Sequence, residues 1–199
     1  TQGTIPITGA LTFSHTLDQP GIFTRSVEDA AFLAACLAEE GTKRPPQRCT
    51  GSAAPLLAAV KTPVWALAEE HAREQFRKNI EALREAGARV EECDLPEPFG
   101  LAHGAIRTIM AAESAFNLGE LARDKAPLLS ATLKDFIAEG EGVGTVTYLR
   151  ALTLRLSLQE ELERFLARYD AIITPPTTGE APPTLEQTGN PTFCSIWSL

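Results

Sequence analysis

No stretch of this sequence contains the run of about 18 apolar residues that a membrane-spanning helix requires. Cysteine is scarce, and the four residues Cys36, Cys49, Cys93 and Cys194 form neither a CxxC pair nor a Cys/His ligand spacing. The sequence also carries no secretory signal. Together these absences favour a cytoplasmic protein with reduced thiols and without a membrane partner.

Positive charge is in the minority. The chain has 18 Lys and Arg against 26 Asp and Glu, so its formal net charge is −8. Nucleic acid binding depends on clustered Lys and Arg, so no nucleic-acid partner is predicted. With 44% hydrophobic and 22% charged residues among 199, the composition is typical of one sizeable globular domain or of part of a larger one.

The sequence motifs of known hydrolase, metal-binding and nucleotide-binding sites are also missing. None of the serines lies in a GxSxG turn, and His103 and Glu113 are too far apart for an HExxH pair. The glycine-rich stretch 140–144 lacks both nucleotide-binding patterns and is interpreted as a loop between helices. We therefore expect no catalytic residue, no metal ligand and no cofactor in this chain. A Cys/His hydrolase that uses a cysteine with His15, His71 or His103 stays open as an alternative, although no local signature supports it.

The sequence does contain a pattern of alternating strands and helices. Ser26 and Asp29 form a capping-box signature before an Ala/Leu-rich helix that is predicted to reach Glu40. Apolar residues recur every three or four positions over Glu69–Gly87, which predicts an amphipathic helix. Further helices are predicted at 105–123, 126–138 and 146–169, and strands at about 60–67, 88–95 and 170–175. The predicted fold class is α/β, a layered α/β/α arrangement with a mixed sheet core.

Three stretches carry a resemblance to one family. They are Thr16–Ala31 (TLDQPGIFTRSVEDAA), Glu85–Pro96 (EAGARVEECDLP) and Tyr169–Pro176 (YDAIITPP). Each is similar to a phrase of the amidase signature family, the serine amide hydrolases. The resemblance implies the amidase signature fold and an enzyme that hydrolyses the C–N bond of a small-molecule amide to a carboxylate plus ammonia or an amine. The family's catalytic lysine and two serines would precede Thr1, in segments that nothing in this sequence matches.

The same resemblance implies that residues 1–199 form the C-terminal portion of a single amidase domain and are inactive alone. By family location, Thr174, Pro175 and Trp197 would border the substrate cleft, although each also has a structural interpretation as a strand end, a turn residue or a core aromatic. The alternatives are a non-catalytic relative, an amidotransferase A-type subunit that acts with a partner, and an unrelated α/β binding module. A homo-oligomer is a further option. A bare sheet edge would make such a fragment poorly soluble or self-associating.

Overall fold

The computed structural model describes residues 3, 5–38, 54–186 and 188–199. The chain divides into two compact units. One consists of Thr1–Ser52 with Thr108–Gly144, and the other of Ala53–Arg107 with Thr145–Leu199. None of the described helices combines the length and the apolar character that crossing a bilayer requires.

The second unit contains a three-stranded sheet with the order β2-β1-β3. Its strands are β1 (Leu56–Lys61), β2 (Arg89–Asp94) and β3 (Ala171–Ile173). β1 is parallel to both neighbours, since Leu56 pairs with Arg89 in β2 and Leu57 with Ala171 in β3. The α/β class and the shared sheet are confirmed. The described strands pair only in parallel, so this part of the chain lacks the antiparallel pairing expected of a mixed sheet.

Helix α2 (Glu70–Glu85) connects β1 to β2 and covers one face of the sheet. Its buried residues Phe76 and Ile80 pack against Ala59 of β1. The predicted amphipathic helix is confirmed, and Gly87 ends it in the left-handed conformation with φ of 95°.

The opposite face is covered by α5 (Thr145–Leu166) and by the start of α3 (Ala102–Asp124). There Ala58 and Val60 of β1 form one cluster with Leu158 of α5 and with Ala102. Because successive side chains of a strand point to opposite faces, the even-numbered β1 residues face this cluster and Ala59 faces α2. The unit thus has the three α/β/α layers that the sequence predicts.

The predicted position of the first strand, 60–67, is wrong. β1 begins at Leu56 and ends at Lys61, and a short 3-10 turn follows at Trp65–Leu67. Pro63 explains the shift, because proline has no N–H to donate to a neighbouring strand and also restricts the residue before it. The apolar run therefore continues after the strand has ended.

The first unit contains α1 (Val27–Leu37), most of α3, and α4 (Ala131–Glu141). The predicted cap of α1 is confirmed, since the Ser26 hydroxyl accepts a hydrogen bond from the Asp29 N–H at 3.1 Å. This helix ends at Leu37, because the backbone of Ala38 is extended, so it is shorter than predicted; Glu40 itself lies outside the described residues. No residue of α1 is buried.

Helix α4 starts and ends later than the predicted range 126–138. Ser130 caps it by accepting a hydrogen bond from the Leu133 N–H at 3.2 Å. Its last turn includes Gly140, which is buried in the helix although the sequence predicts a loop at 140–144. The connection to α5 is therefore only the short stretch 142–144.

Candidate functional site

The carboxyl ends of β1 and β3 lie side by side at one edge of the parallel sheet. After β1 the chain enters α2 on one face, whereas after β3 it leads to Ile196 and Trp197, which pack on the opposite face. Adjacent strands that continue to opposite faces leave a crevice between their carboxyl ends. In open α/β sheets this switch point is the usual place for a ligand.

The C-terminal segment, with α6 at Thr192–Ser195 and a 3-10 turn at Ile196–Ser198, is held at this edge by contacts from both strand ends. The Cys194 thiol donates a hydrogen bond of 2.8 Å to the carbonyl of Pro176, beyond β3. The Phe193 ring lies edge-on to Trp65, beyond β1, with the centroids 6.5 Å apart. We call the region formed by the two strand ends and this segment the carboxyl edge.

All three residues that the sequence suggested for the cleft belong to the carboxyl edge. Thr174 directly follows β3 and is half-buried, Pro175 is buried, and Trp197 is half-buried against the cluster that contains Val60. Thr174 and Pro175 reach the edge because they continue a strand. Trp197 reaches it because contacts of Phe193 and Cys194 hold the C-terminal segment there.

Three polar atoms at the carboxyl edge are buried and have no hydrogen-bond partner in the described part of the chain: Thr174 Oγ1, Trp197 Nε1 and Thr62 Oγ1. Thr62 immediately follows β1, and only 3% of it is exposed. A buried polar group left unpaired costs about 1–3 kcal/mol, so native proteins rarely keep several without a reason. The carboxyl edge therefore contains three polar groups whose hydrogen bonds are not satisfied by the described residues.

Thr62 was missed by the sequence reasoning, which placed it inside a strand spanning 60–67. The available signal was its position between a buried apolar run and Pro63, where the chain must leave the sheet. A polar side chain directly after a parallel strand is the kind of residue that lines such an edge.

The alternative of a Cys/His hydrolase gains no support from the described residues. Burial raises the pKa of the Cys93 thiol, which opposes the thiolate that such an enzyme needs. Cys194 acts as a thiol donor to a carbonyl, and Cys49 lies outside the described residues. His103 Nε2 lies 2.8 Å from the Thr192 carbonyl oxygen, and no described cysteine forms a hydrogen bond with a histidine.

A neighbouring tyrosine shares the environment of Cys93. The Tyr169 hydroxyl donates a hydrogen bond of 3.0 Å to the Glu91 carboxylate, and this bond raises the pKa of Tyr169 because it favours the protonated phenol. Neither group is shifted toward the anion that a nucleophile or base would require.

A buried carboxylate organises the first unit. Glu113 of α3 is 7% exposed, and its Oε2 accepts hydrogen bonds from the Ser14 hydroxyl at 2.5 Å and the Thr16 N–H at 2.9 Å. Its Oε1 accepts one from the Thr16 hydroxyl. Asp18 in turn accepts hydrogen bonds from the N–H groups of Phe13 and Ser14 at 2.7 and 3.0 Å. These oxygens hold the segment 13–18 in place, so a structural role accounts for Glu113.

The chain matches a protein-family model described as Amidase over residues 1–197. A 2-amino-5-chloromuconic acid deaminase from Comamonas testosteroni is 29% identical in an alignment of 196 residues, and the alignment covers 95% of this chain and 41% of that protein. The A-type subunit of a glutamyl-tRNA(Gln) amidotransferase from Clostridium kluyveri is 28% identical, over 89% of this chain and 43% of that protein.

Solved structures are similar over the whole chain. A crystal structure of an amidase aligns with a TM-score of 0.83 at 24% identity and covers 100% of this chain and 46% of that one. A 6-aminohexanoate cyclic dimer hydrolase aligns with a TM-score of 0.73 at 17% identity, over 100% of this chain and 49% of that one. At these identities the likeness establishes the fold. The chain spans less than half the length of these proteins.

Proposed function

The chain belongs to the amidase signature family, and from this premise we propose that it is the C-terminal portion of an enzyme that hydrolyses a C–N amide bond. The products would be a carboxylate and ammonia or an amine. The observation that carries this proposal is the family match, which extends over residues 1–197. A relative named as an amidase supports this kind of reaction.

We assign substrate binding to this chain, and the covalent chemistry to polypeptide outside it. Amide hydrolysis by a serine enzyme needs an activated hydroxyl, a base in hydrogen-bond reach of it, and donors for the oxyanion. The buried carboxyl edge offers uncharged hydrogen-bonding atoms but no paired nucleophile and base among the described residues. Thr174, Pro175 and Trp197 would form one wall of the substrate cleft, with the Thr174 hydroxyl and the Trp197 N–H orienting the substrate.

Assays of ammonia release and of covalent labelling test whether this chain binds substrate while the catalytic residues lie outside it. The 199-residue chain should release no ammonia from a panel of primary amides and should not react with a fluorophosphonate probe. A longer polypeptide that includes the Gly/Ser-rich family segments should do both, with the label mapping outside Thr1–Leu199. Turnover by the chain alone, or a labelled peptide from within it, would contradict the proposal.

A role as the A-type subunit of an amidotransferase is the second candidate. It is favoured by the similarity to a relative named as such a subunit, at 28% identity over 89% of this chain. The longer polypeptide would then release ammonia from glutamine efficiently only with its partner subunits. Equal glutamine hydrolysis with and without those subunits would exclude this role and leave the free-standing amidase.

A further inference from the structure

Thr62 is the most deeply buried of the unpaired polar groups at the carboxyl edge. We propose that its hydroxyl is a further substrate-binding group, which acts with Thr174 and Trp197 on an uncharged, carbonyl-bearing part of the substrate. This inference rests on the proposed function, because it names a residue and a ligand chemistry for the same cleft.

The sheet register brings Thr62 close to Thr174. Ala59 pairs with Ile173, and continuing this register by one residue brings Val60 beside Thr174. Thr62 is two residues further on, so the spacings of a parallel sheet place its Cα about 8 Å from that of Thr174. Two threonines whose Cα atoms are this far apart can both contact one small ligand.

Both threonines also belong to the same face of the sheet. Alternation along β1 assigns Thr62 to the side of Val60, and alternation along β3 assigns Thr174 to the side of Ile172. Val60 and Ile172 both contact the cluster against which Trp197 packs. The three unpaired atoms are therefore on one side of the sheet, opposite to α2.

The chemistry of these three groups selects the kind of ligand. Each threonine hydroxyl donates one hydrogen bond and can accept others, and the indole N–H only donates. None carries a formal charge, and a buried carboxylate needs charged or numerous donors to offset its lost hydration. A carbonyl oxygen with an adjacent N–H fits this set better than the carboxylate into which hydrolysis converts it.

If Thr62 binds substrate in this way, replacing it with valine should have two effects together. Thr62→Val keeps the shape of the side chain and removes the unpaired hydroxyl. Without ligand, the variant should be more stable than the parent chain, with a Tm about 2–4 °C higher, because an unsatisfied buried group has been removed. Its affinity for the ligand should fall about fivefold to tenfold, since a hydrogen bond has been lost.

Indole NMR reports on the carboxyl edge directly. The chain has two tryptophans, so a ¹⁵N-labelled sample gives two indole N–H signals, and Trp65→Phe assigns the one from Trp197. Titration with propionamide and with benzamide should shift the Trp197 signal in a saturable way. Propionate and benzoate should bind at least about tenfold more weakly, because none of the three groups carries a positive charge that would offset the lost hydration of a carboxylate.

Two variants provide the controls. Thr62→Ser restores a hydroxyl and should recover amide binding to within about twofold of the parent. Thr153→Val removes a threonine hydroxyl that is exposed on α5, where it donates to the Leu149 carbonyl at 3.0 Å, and should leave amide binding unchanged.

Several results would overturn the inference. They are a Trp197 signal that neither amide shifts, an acid that binds as tightly as its amide, and a Thr62→Val variant that binds normally. A lowered Tm of Thr62→Val without ligand, with full amide binding, would assign Thr62 to structure alone.

These experiments distinguish a failure of the role proposed for Thr62 from a failure of the proposed amide hydrolysis. If the longer enzyme hydrolyses amides but its Thr62→Val variant keeps the parental KM and kcat, the proposed function stands and the role of Thr62 fails. If amide binding at Trp197 depends on Thr62 but the longer enzyme releases no ammonia, the binding site stands and the proposed hydrolysis fails.

Discussion

At the scale of single residues, the buried Glu113 makes several polar contacts within the first unit. Its two carboxylate oxygens receive three hydrogen bonds from Ser14 and Thr16, which are 99 and 97 positions away in the sequence. Hydrogen bonds to a charged group contribute about 1.5–3 kcal/mol, and an unpaired buried donor adds its own penalty. Glu113 therefore holds the segment around Ser14 and Thr16 against α3.

Removing this carboxylate should destabilise the chain. We expect Glu113→Ala to lower the free energy of unfolding by about 3 kcal/mol, and Glu113→Gln, which keeps one acceptor oxygen, by about 1–2 kcal/mol. Urea unfolding followed by circular dichroism measures both. Glu120→Gln is the matched control on the exposed side of the same helix and should stay within about 0.5 kcal/mol. If both Glu113 variants unfold like the control, these contacts contribute no net stability.

At the scale of elements, the sequence predicted those features that depend on residues close together in the chain. The Ser26 cap and the periodicity of α2 depend on residues a few positions apart, and both were found in the structure. The length of β1 was misjudged because the apolar run extends past Pro63, which hydrophobicity alone does not register.

The parts of the site that the sequence did not predict depend on contacts between distant residues. Thr62 is buried because the ends of β1 and β3 and the C-terminal segment meet, and no spacing along the chain encodes that meeting. The sequence suggests Glu113 only as a partner for His103, because the side chains that it binds are in a distant segment. Thr174, Pro175 and Trp197 were assigned to the cleft from a family resemblance, and their role stays a prediction.

The contact between α3 and α4 gives a test at this scale. A Cβ added to Gly140 would lie 1.9 Å from the carbonyl oxygen of Ala111 and 2.8 Å from the Cβ of Ala115. Gly140→Ala should therefore force the two helices apart and lower the free energy of unfolding by about 1–3 kcal/mol or more. Urea unfolding provides the measurement.

Gly104 in α3 offers a control with the same chemical change. A Cβ there would meet no atom within 4 Å, so Gly104→Ala should raise the stability by up to about 1 kcal/mol through helix propensity. Opposite signs for the two variants would confirm close helix packing at Gly140. A stabilised Gly140→Ala variant would show that the helices are not in such close contact.

At the scale of the whole molecule, one segment of the first unit carries several exposed apolar side chains close together in the sequence. Phe23, Val27 and Phe32 are 99%, 80% and 67% exposed, and an open groove of about 600 Å³ beside them is lined by both phenylalanines. Scattered exposed apolar residues are normal, but a contiguous patch usually marks a surface that contacts another protein surface. The curated relatives are more than twice as long as their aligned parts, so they contain further chain that could cover such a surface.

This patch leads to a prediction about the 199-residue chain in solution. We expect the chain to self-associate at high concentration, because each buried aromatic side chain recovers about 1.5–3 kcal/mol of transfer free energy. The double variant Phe23→Ser with Phe32→Ser should shift sedimentation velocity profiles toward the monomer. Leu185→Ser, which changes one fully exposed apolar residue elsewhere, should not. A parent chain that sediments as a monomer at high concentration would contradict the prediction. If the double variant still self-associates, the unpaired edges of the sheet are the cause and not this patch.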